Sequence, residues 1–113
     1  MEIIRQEQAE RFNDGTSFVA HEYHTSDKDI NTARIEIRGR YPATGSMRNT
    51  LVKEVVYIER GSGTVSINGD DEEVKAGDAI FFGANETVVW HGSFTLITTC
   101  TPSWSKQQHE FIP

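Results

Sequence analysis

Glu54 is the residue of this chain whose type and setting best suit chemistry. It lies among apolar neighbours, in the run Val52, Lys53, Glu54, Val55, Val56, so a folded chain would bury it at least in part. Burial raises the pKa of a carboxyl group, which suits an acid/base catalyst or a group that anchors a ligand. The alternative is a structural carboxylate paired with a nearby cation, because an unpaired buried carboxylate is costly. The candidate cations are Arg38, Arg40 and Lys53.

Three further residues are candidates for contacts with a ligand. Trp90 shares a strand face with Val88, so its indole would point inward, either as a wall for a ring or sugar or as part of the core. Arg40 and Tyr41 stand between Gly39 and Pro42, where they could meet an anion at the rim of a pocket. A plain surface position is the other interpretation of Arg40.

The histidines do not form a metal-binding pattern. His21 and His24 are three residues apart near a strand end and therefore do not share a face, His91 faces away from Trp90, and His109 lies in the tail. Cys100 is the only cysteine, which excludes an intrachain disulfide and a thiolate zinc cluster, and we interpret it as a small buried hydrophobic residue. We predict no metal and no cofactor.

A series of short strands must position these residues. Residues 54–58 and 64–67 are strand-forming, with the glycines at 61 and 63 predicting a tight turn between them. Asn68-Gly69 suits a two-residue hairpin, and Gly77-Asp78 precedes an apolar strand at 79–82. Short strands with regular turn signals favour an all-β sandwich or barrel.

The rest of the chain continues this pattern over one predicted domain, residues 1–113. Residues 31–38 alternate most cleanly, with Ala33, Ile35 and Ile37 on one face. We predict a loop over 39–45 and an irregular tail over 103–113 that packs back on the barrel. The remaining predicted strands, which bring the total to about eight or nine, are an edge strand at 3–4 and strands at 17–23, 72–75, 87–91 and 94–100, the last two joined at Gly92-Ser93.

Charge and composition narrow the possible partners. The formal net charge is −6, from 17 acidic and 11 basic residues, which disfavours nucleic acid and anionic membranes. No apolar run has the length of a membrane helix, and the N-terminal residues lack the apolar core of a signal peptide. These features predict a cytoplasmic protein.

The stretch from Glu54 to Gly63 resembles the first motif of the cupin superfamily of small jelly-roll β-barrels. In that motif a glutamate is followed by six residues and a glycine, which Glu54 and Gly61 match, and Gly77-Asp78 matches the start of the second motif. The resemblance covers about residues 31–101. It implies a cupin-type jelly-roll barrel of antiparallel strands and, from the habit of small cupins, a homodimer.

The resemblance also implies where metal ligands would lie, and this chain lacks them. The two histidines before the glutamate would fall at Met47 and Asn49, or at Arg48 and Thr50, and the histidine of the second motif at Val88. Only Glu54 remains, whereas a metal site needs several converging donors. Asn49 could instead hydrogen-bond a ligand in the vacated pocket or satisfy backbone groups of its loop.

These observations support three functional hypotheses. The first is a protein that binds a small polar or sugar-like molecule without a metal, through Glu54, Asn49 and Trp90. The second is a metal-free isomerase or epimerase with Glu54 as its acid/base. The third is a metalloenzyme with unusual ligands, drawn from Glu54, Asn49 and a histidine such as His91.

Overall fold

The computed structural model describes residues 1–113 and is built from antiparallel strands. Two short 3-10 helices, Gln6–Gln8 and Lys106–Gln108, lie near the chain ends. The nine strands are β1 (Glu10–Asn13), β2 (Phe18–His24), β3 (Asn31–Tyr41), β4 (Ser46–Asn49), β5 (Lys53–Ile67), β6 (Asp70–Lys75), β7 (Ala79–Phe82), β8 (Val88–Thr101) and β9 (His109–Ile112). The predicted all-β class is confirmed. No helix is long and apolar enough to cross a membrane.

The strands form one curled sheet with the shape of a half-barrel, organised around β8. One edge of β8 pairs with β3, which continues to β2 and β1. The other edge pairs with β5 from Lys53↔Thr101 to Ile67↔Val88, and β5 in turn pairs with β7 and β6. A ribbon of β4 and β9 joins β8 at Met47↔Val88. This ribbon places the C-terminal residues beside Glu54.

Two predicted turns are wrong, because β5 and β8 run unbroken through their glycines. Gly63 stands opposite Gly92, and a Cβ added at Gly63 would lie 2.8 Å from the Gly92 Cα. Gly61, at φ 94°, faces Phe94 across the same pair of strands, close to a bulge between Ile58 and Arg60. The missing side chains therefore allow two bent strands to approach closely, and they do not reverse the chain.

Other strand boundaries also differ from the prediction. The edge strand at residues 3–4 is absent, and β1 begins at Glu10 instead. The predicted loop at 39–45 is strand as far as Tyr41, because β3 pairs with β8 through Tyr41↔Trp90. Neither β4 nor β9 was predicted, and both depend on their mutual pairing, which local sequence does not encode.

The core lies on the concave face of the sheet. Buried and exposed residues alternate along the strands as the sequence predicts. Ala33 and Ile37 are buried and Ile35 packs against the core, as the period-two pattern of β3 predicts. The largest fully buried apolar side chains are Ile37, Ile58, Leu96, Val52, Val56 and Val65. The same inward rows of β2, β3, β5 and β8 continue into polar residues at one end, namely Glu22, Asn31, Glu54, Thr98 and Cys100. This polar end contains the candidate site.

Candidate functional site

Glu54 lies on the inward face of β5, opposite Cys100 on β8 and Phe82 on β7. Its carboxyl group makes two long contacts: Asn49 Nδ2 donates to Oε1 at 3.4 Å, and Cys100 Sγ donates to Oε2 at 3.5 Å. The first is near the length limit for an N–H···O bond, and the thiol of the second is a weak donor, so both compensate burial poorly. Burial raises the pKa of Glu54, and only the Cys100 contact opposes it.

The alternative of a structural ion pair at Glu54 is wrong. Lys53, Arg38 and Arg40 form no salt bridge with it. Arg40 instead donates to the backbone oxygens of Pro42 and Gly45, at 2.6 and 2.9 Å, and so shapes the loop after β3. Glu54 is therefore a half-buried acid without a cationic partner.

Glu22 is a second buried carboxyl group, which sequence reasoning missed. It is 5% exposed on the inward face of β2, and Asn31 Nδ2 donates to its Oε1 at 2.9 Å. The pKa of Glu22 is raised from the ordinary 4.5 to about 7. Burial is the largest cause, and the charges of Glu54 and Glu10 act in the same direction, against the Asn31 hydrogen bond and His24. The sequence did contain a signal for its burial, because Glu22 shares a strand face with the apolar residues Phe18 and Ala20.

Cys100 lies between these two acids and is not a nucleophile. Burial, followed by the charges of Glu54 and Glu22, raises the pKa of its thiol. A thiol kept in its neutral form is inert compared with a thiolate. The interpretation of Cys100 as a small buried residue agrees with its 2% exposure.

Asn49 connects the C-terminal tail to Glu54. Its Oδ1 accepts from Trp104 Nε1 at 3.3 Å, from Gln108 Nε2 at 2.9 Å and from His109 Nδ1 at 2.9 Å. Its Nδ2 is the group that reaches Glu54. Two roles were predicted for the Asn49 side chain: a hydrogen bond to a ligand, or hydrogen bonds to backbone groups of its own loop. The second does not describe these contacts, because the partners of the side chain belong to the tail and to β5.

A narrow opening leads to this cluster, lined among others by Met47, Asn49, Glu54, Val88 and His109. The space open to the centres of water molecules is about 10 Å³. That volume suits roughly one water molecule. A larger molecule must therefore displace side chains of the rim or of the tail.

The lining residues do not fit a metal ion. Met47, Asn49, Glu54 and Val88, which occupy the positions of metal ligands in the cupin resemblance, do converge on the opening. These four positions offer one carboxyl group, and the Asn49 oxygen already accepts three hydrogen bonds. The opening is also lined by His109 and by Glu86, whose Oε2 accepts from the backbone nitrogen of Gly83 at 2.8 Å. Nowhere in residues 1–113 do three or more His, Cys, Asp or Glu side chains come together as a potential metal site.

The structure does not bring the other predicted site residues to this opening. Trp90 is enclosed in the core, edge-to-face with Phe82 and Phe94 at 6.1 and 5.1 Å between ring centroids. Tyr41 is buried, stacked on Phe18 at 3.9 Å. His91 is exposed on the outer face, so it cannot join Glu54 and Asn49 in the hypothetical metal site. His109 occupies the place that the hypothesis gave to His91.

Sequence comparisons give no relatives, whereas structural comparisons give many. No protein-family model matches the chain, and no curated protein matches it in sequence. A Streptomyces PAC13 variant in complex with uridine superposes with a TM-score of 0.87, at 19% identity, over 100% of this chain and 92% of that one. Another structure of Pac13, described as a nucleoside dehydratase, gives 0.86 at 20% identity, over 99% and 91% of the two chains.

More distant structures share the same architecture. KdgF from Halomonas sp. superposes with a TM-score of 0.73 at 12% identity, over 95% of this chain and 98% of that one. An RmlC-like cupin from Shewanella frigidimarina superposes with a TM-score of 0.71 at 19% identity, over 89% of this chain and 90% of that one. The curled sheet, the Glu54–Gly61 spacing and these superpositions together establish that the chain has the fold of the cupin superfamily.

Proposed function

We propose that the chain binds a small polar, sugar-like molecule at the opening above Glu54, without a metal. The observation that carries this proposal is a half-buried carboxyl group with a raised pKa and two weak hydrogen bonds, placed at a small opening. A raised pKa favours the protonated form of the carboxyl group, which can donate a hydrogen bond to a ligand oxygen. The uridine complex of a protein with the same fold supports a ligand that carries hydroxyl groups.

Glu54 variants test this binding site through ligand-dependent melting. Uridine and a panel of free aldoses serve as the first probes. A ligand at about 100 times its Kd stabilises the folded chain by about 2.7 kcal/mol. The Glu54→Gln variant should keep this stabilisation, because its amide still donates a hydrogen bond, whereas Glu54→Leu should lose it.

The matched control for the melting experiment is Glu72→Gln, which removes a charge on exposed β6, away from the opening. It should melt with the same ligand response as the unaltered chain. Equal stabilisation of the unaltered chain and Glu54→Leu by the same probe would show that the ligand binds elsewhere.

The second candidate function is a metal-free isomerase or epimerase in which Glu54 is the general acid. The raised pKa of Glu54 favours it, because a general acid must hold its proton at the working pH. Here Glu54→Gln should lower turnover by about 10²–10⁴-fold while ligand binding persists. Turnover that survives this substitution would remove Glu54 from the reaction.

We also propose that two copies of the chain pair through the outer face of β5 and β7. Val55, Tyr57 and Phe81 are about half exposed or more there, and Val55 is the direct cross-strand neighbour of Phe81. An apolar row of this kind favours a protein interface. Phe81→Glu should convert a dimer to a monomer in analytical ultracentrifugation, and a monomeric unaltered chain would contradict the proposal.

A further inference from the structure

The hydrogen bonds around Asn49 fix which atom faces each of its partners. Gln108 Oε1 accepts from the backbone nitrogens of Leu51 and Val52, both at 3.2 Å, so its Nε2 must be the group that faces Asn49. Trp104 Nε1 can only donate, and it faces the same atom of Asn49. Two independent donors therefore identify that atom as the amide oxygen.

The amide oxygen in turn fixes the proton on His109. Oδ1 of Asn49 lies 2.9 Å from His109 Nδ1 and can only accept, so Nδ1 carries the hydrogen. Burial lowers the pKa of His109, which keeps the ring neutral near pH 7. In a neutral imidazole with a protonated Nδ1, the other nitrogen, Nε2, has a free lone pair.

His109 Nε2 is also accessible. The ring packs against Trp104 and Phe111, at 5.6 and 5.0 Å between centroids, and lines the opening above Glu54. Nε2 has no hydrogen-bond partner in the chain, and the only fully enclosed side-chain nitrogen or oxygen without a partner is Arg48 Nε. His109 Nε2 therefore reaches solvent.

The geometry points to His109 as the proton acceptor of the Glu54 site, held by Asn49 with its Nε2 lone pair free for a substrate. This inference rests on the proposed function, and in particular on its acid/base form. Asn49 holds His109 through its oxygen at 2.9 Å and contacts Glu54 weakly through its nitrogen at 3.4 Å, so one amide links both groups. A base, and a carboxyl group whose raised pKa favours the protonated form, are the two groups that a proton-shift reaction requires.

The substrate class that suits this pair is a hydroxy-carbonyl compound such as an open-chain sugar. The C–H bond beside the carbonyl breaks, its proton passes to His109 Nε2, and its electron pair forms the C=C bond of an enol. The carbonyl oxygen takes the proton of Glu54. The imidazolium proton then passes to the former carbonyl carbon, and the hydroxyl group on the neighbouring carbon gives its proton to Glu54 and becomes the new carbonyl. Both groups are restored and an isomer is left, with no oxidant or reductant.

The tautomer of His109 tests this inference without any substrate. Long-range ¹H–¹⁵N correlation spectra of the full chain at pH 7, with His109 assigned by the loss of its signals in His109→Gln, report which nitrogen is protonated. We expect a protonated Nδ1 and a bare Nε2. A protonated Nε2, or a doubly protonated ring, would overturn the inference.

Chemical accessibility provides the second measurement. Diethyl pyrocarbonate acylates unprotonated imidazole nitrogens, and the exposed His91 is the internal reference on the same chain. We expect labelling of His109 at a rate comparable with that of His91. Protection of His109 while His91 reacts fully would overturn the inference, because a base without access cannot meet a substrate.

The outcomes separate this inference from the proposed function. Glu54-dependent binding together with a protonated Nε2 would preserve the binding site and remove His109 as its base. A bare, reactive Nε2 without Glu54-dependent binding or turnover would leave the tautomer assignment standing and overturn both the proposed function and the catalytic role of His109.

Discussion

At pH 8 the Glu22→Gln variant should be more stable than the unaltered chain by about 3 kcal/mol. Folding raises the pKa of Glu22 from 4.5 to about 7, and a rise of this size corresponds to about 3 kcal/mol between the two protonation states. The amide of glutamine cannot ionise, and its oxygen can still accept from Asn31 Nδ2. For a chain of 113 residues, the gain corresponds to an increase in Tm of about 10 °C.

The stability difference between Glu22→Gln and the unaltered chain should disappear at low pH, which provides an internal control. Because its pKa is higher in the folded chain, Glu22 contributes fully to stability below pH 4.5, and its contribution is lost as the pH rises through 7. At pH 4 the variant and the unaltered chain should therefore have nearly equal free energies of unfolding. The pKa of Glu54 is also raised by folding, so the unaltered chain should lose additional stability as the pH rises.

Urea unfolding at pH 4, 6 and 8 measures the Glu22 effect. The unaltered chain should lose stability steadily over this range, and Glu22→Gln should show a flatter profile. Parallel profiles for the two proteins would mean that Glu22 is ionised and solvated in the folded chain.

The Asn49→Leu variant should lose about 1–3 kcal/mol of unfolding free energy, because the buried Gln108 would keep a donor without a partner, which costs about that much. Leucine has a similar volume but cannot accept from Trp104 Nε1, Gln108 Nε2 or His109 Nδ1. These three groups belong to the C-terminal tail. Trp104 is one of two tryptophans, so its fluorescence should report the loosened tail.

Arg48→Leu is the matched control for Asn49→Leu, on the neighbouring residue of β4. It removes a partly exposed ion pair with Glu110 of β9, at 3.0 Å, and a pair of this kind contributes at most about 1 kcal/mol. Urea unfolding of the two variants side by side compares the effects. Equal, small losses would show that the strand pairing of β4 with β9, and not the Asn49 side chain, holds the tail.

The inward-facing positions of this fold were largely predictable from local sequence. The alternation of β3, the apolar face shared by Val88 and Trp90, and the inward, half-buried position of Glu54 depend on the period of a strand, which two or three neighbouring residues reveal. The convergence of Met47, Asn49, Glu54 and Val88 also follows from motif spacing. Spacing along paired strands fixes which side chains face the same interior.

The glycines at 61, 63 and 92 show where local reasoning failed. A glycine permits a turn and a close strand crossing equally well, and the sequence around it does not distinguish the two. The register of β5 against β8, which places Gly63 opposite Gly92, shows that these glycines allow a close strand crossing and do not form a turn. That register depends on contacts between residues about 30 positions apart.

The sequence alone determined the strand-rich architecture, the inward-facing acid at Glu54 and the absence of histidines where a cupin metal site would place them. Only the tertiary structure decided that Glu22 joins Glu54, that Trp90 belongs to the core, and that the tail brings His109 to Asn49. The physical reason is that strand alternation is a property of adjacent residues. A site, by contrast, is assembled by pairing between strands distant in sequence, such as β4 with β9.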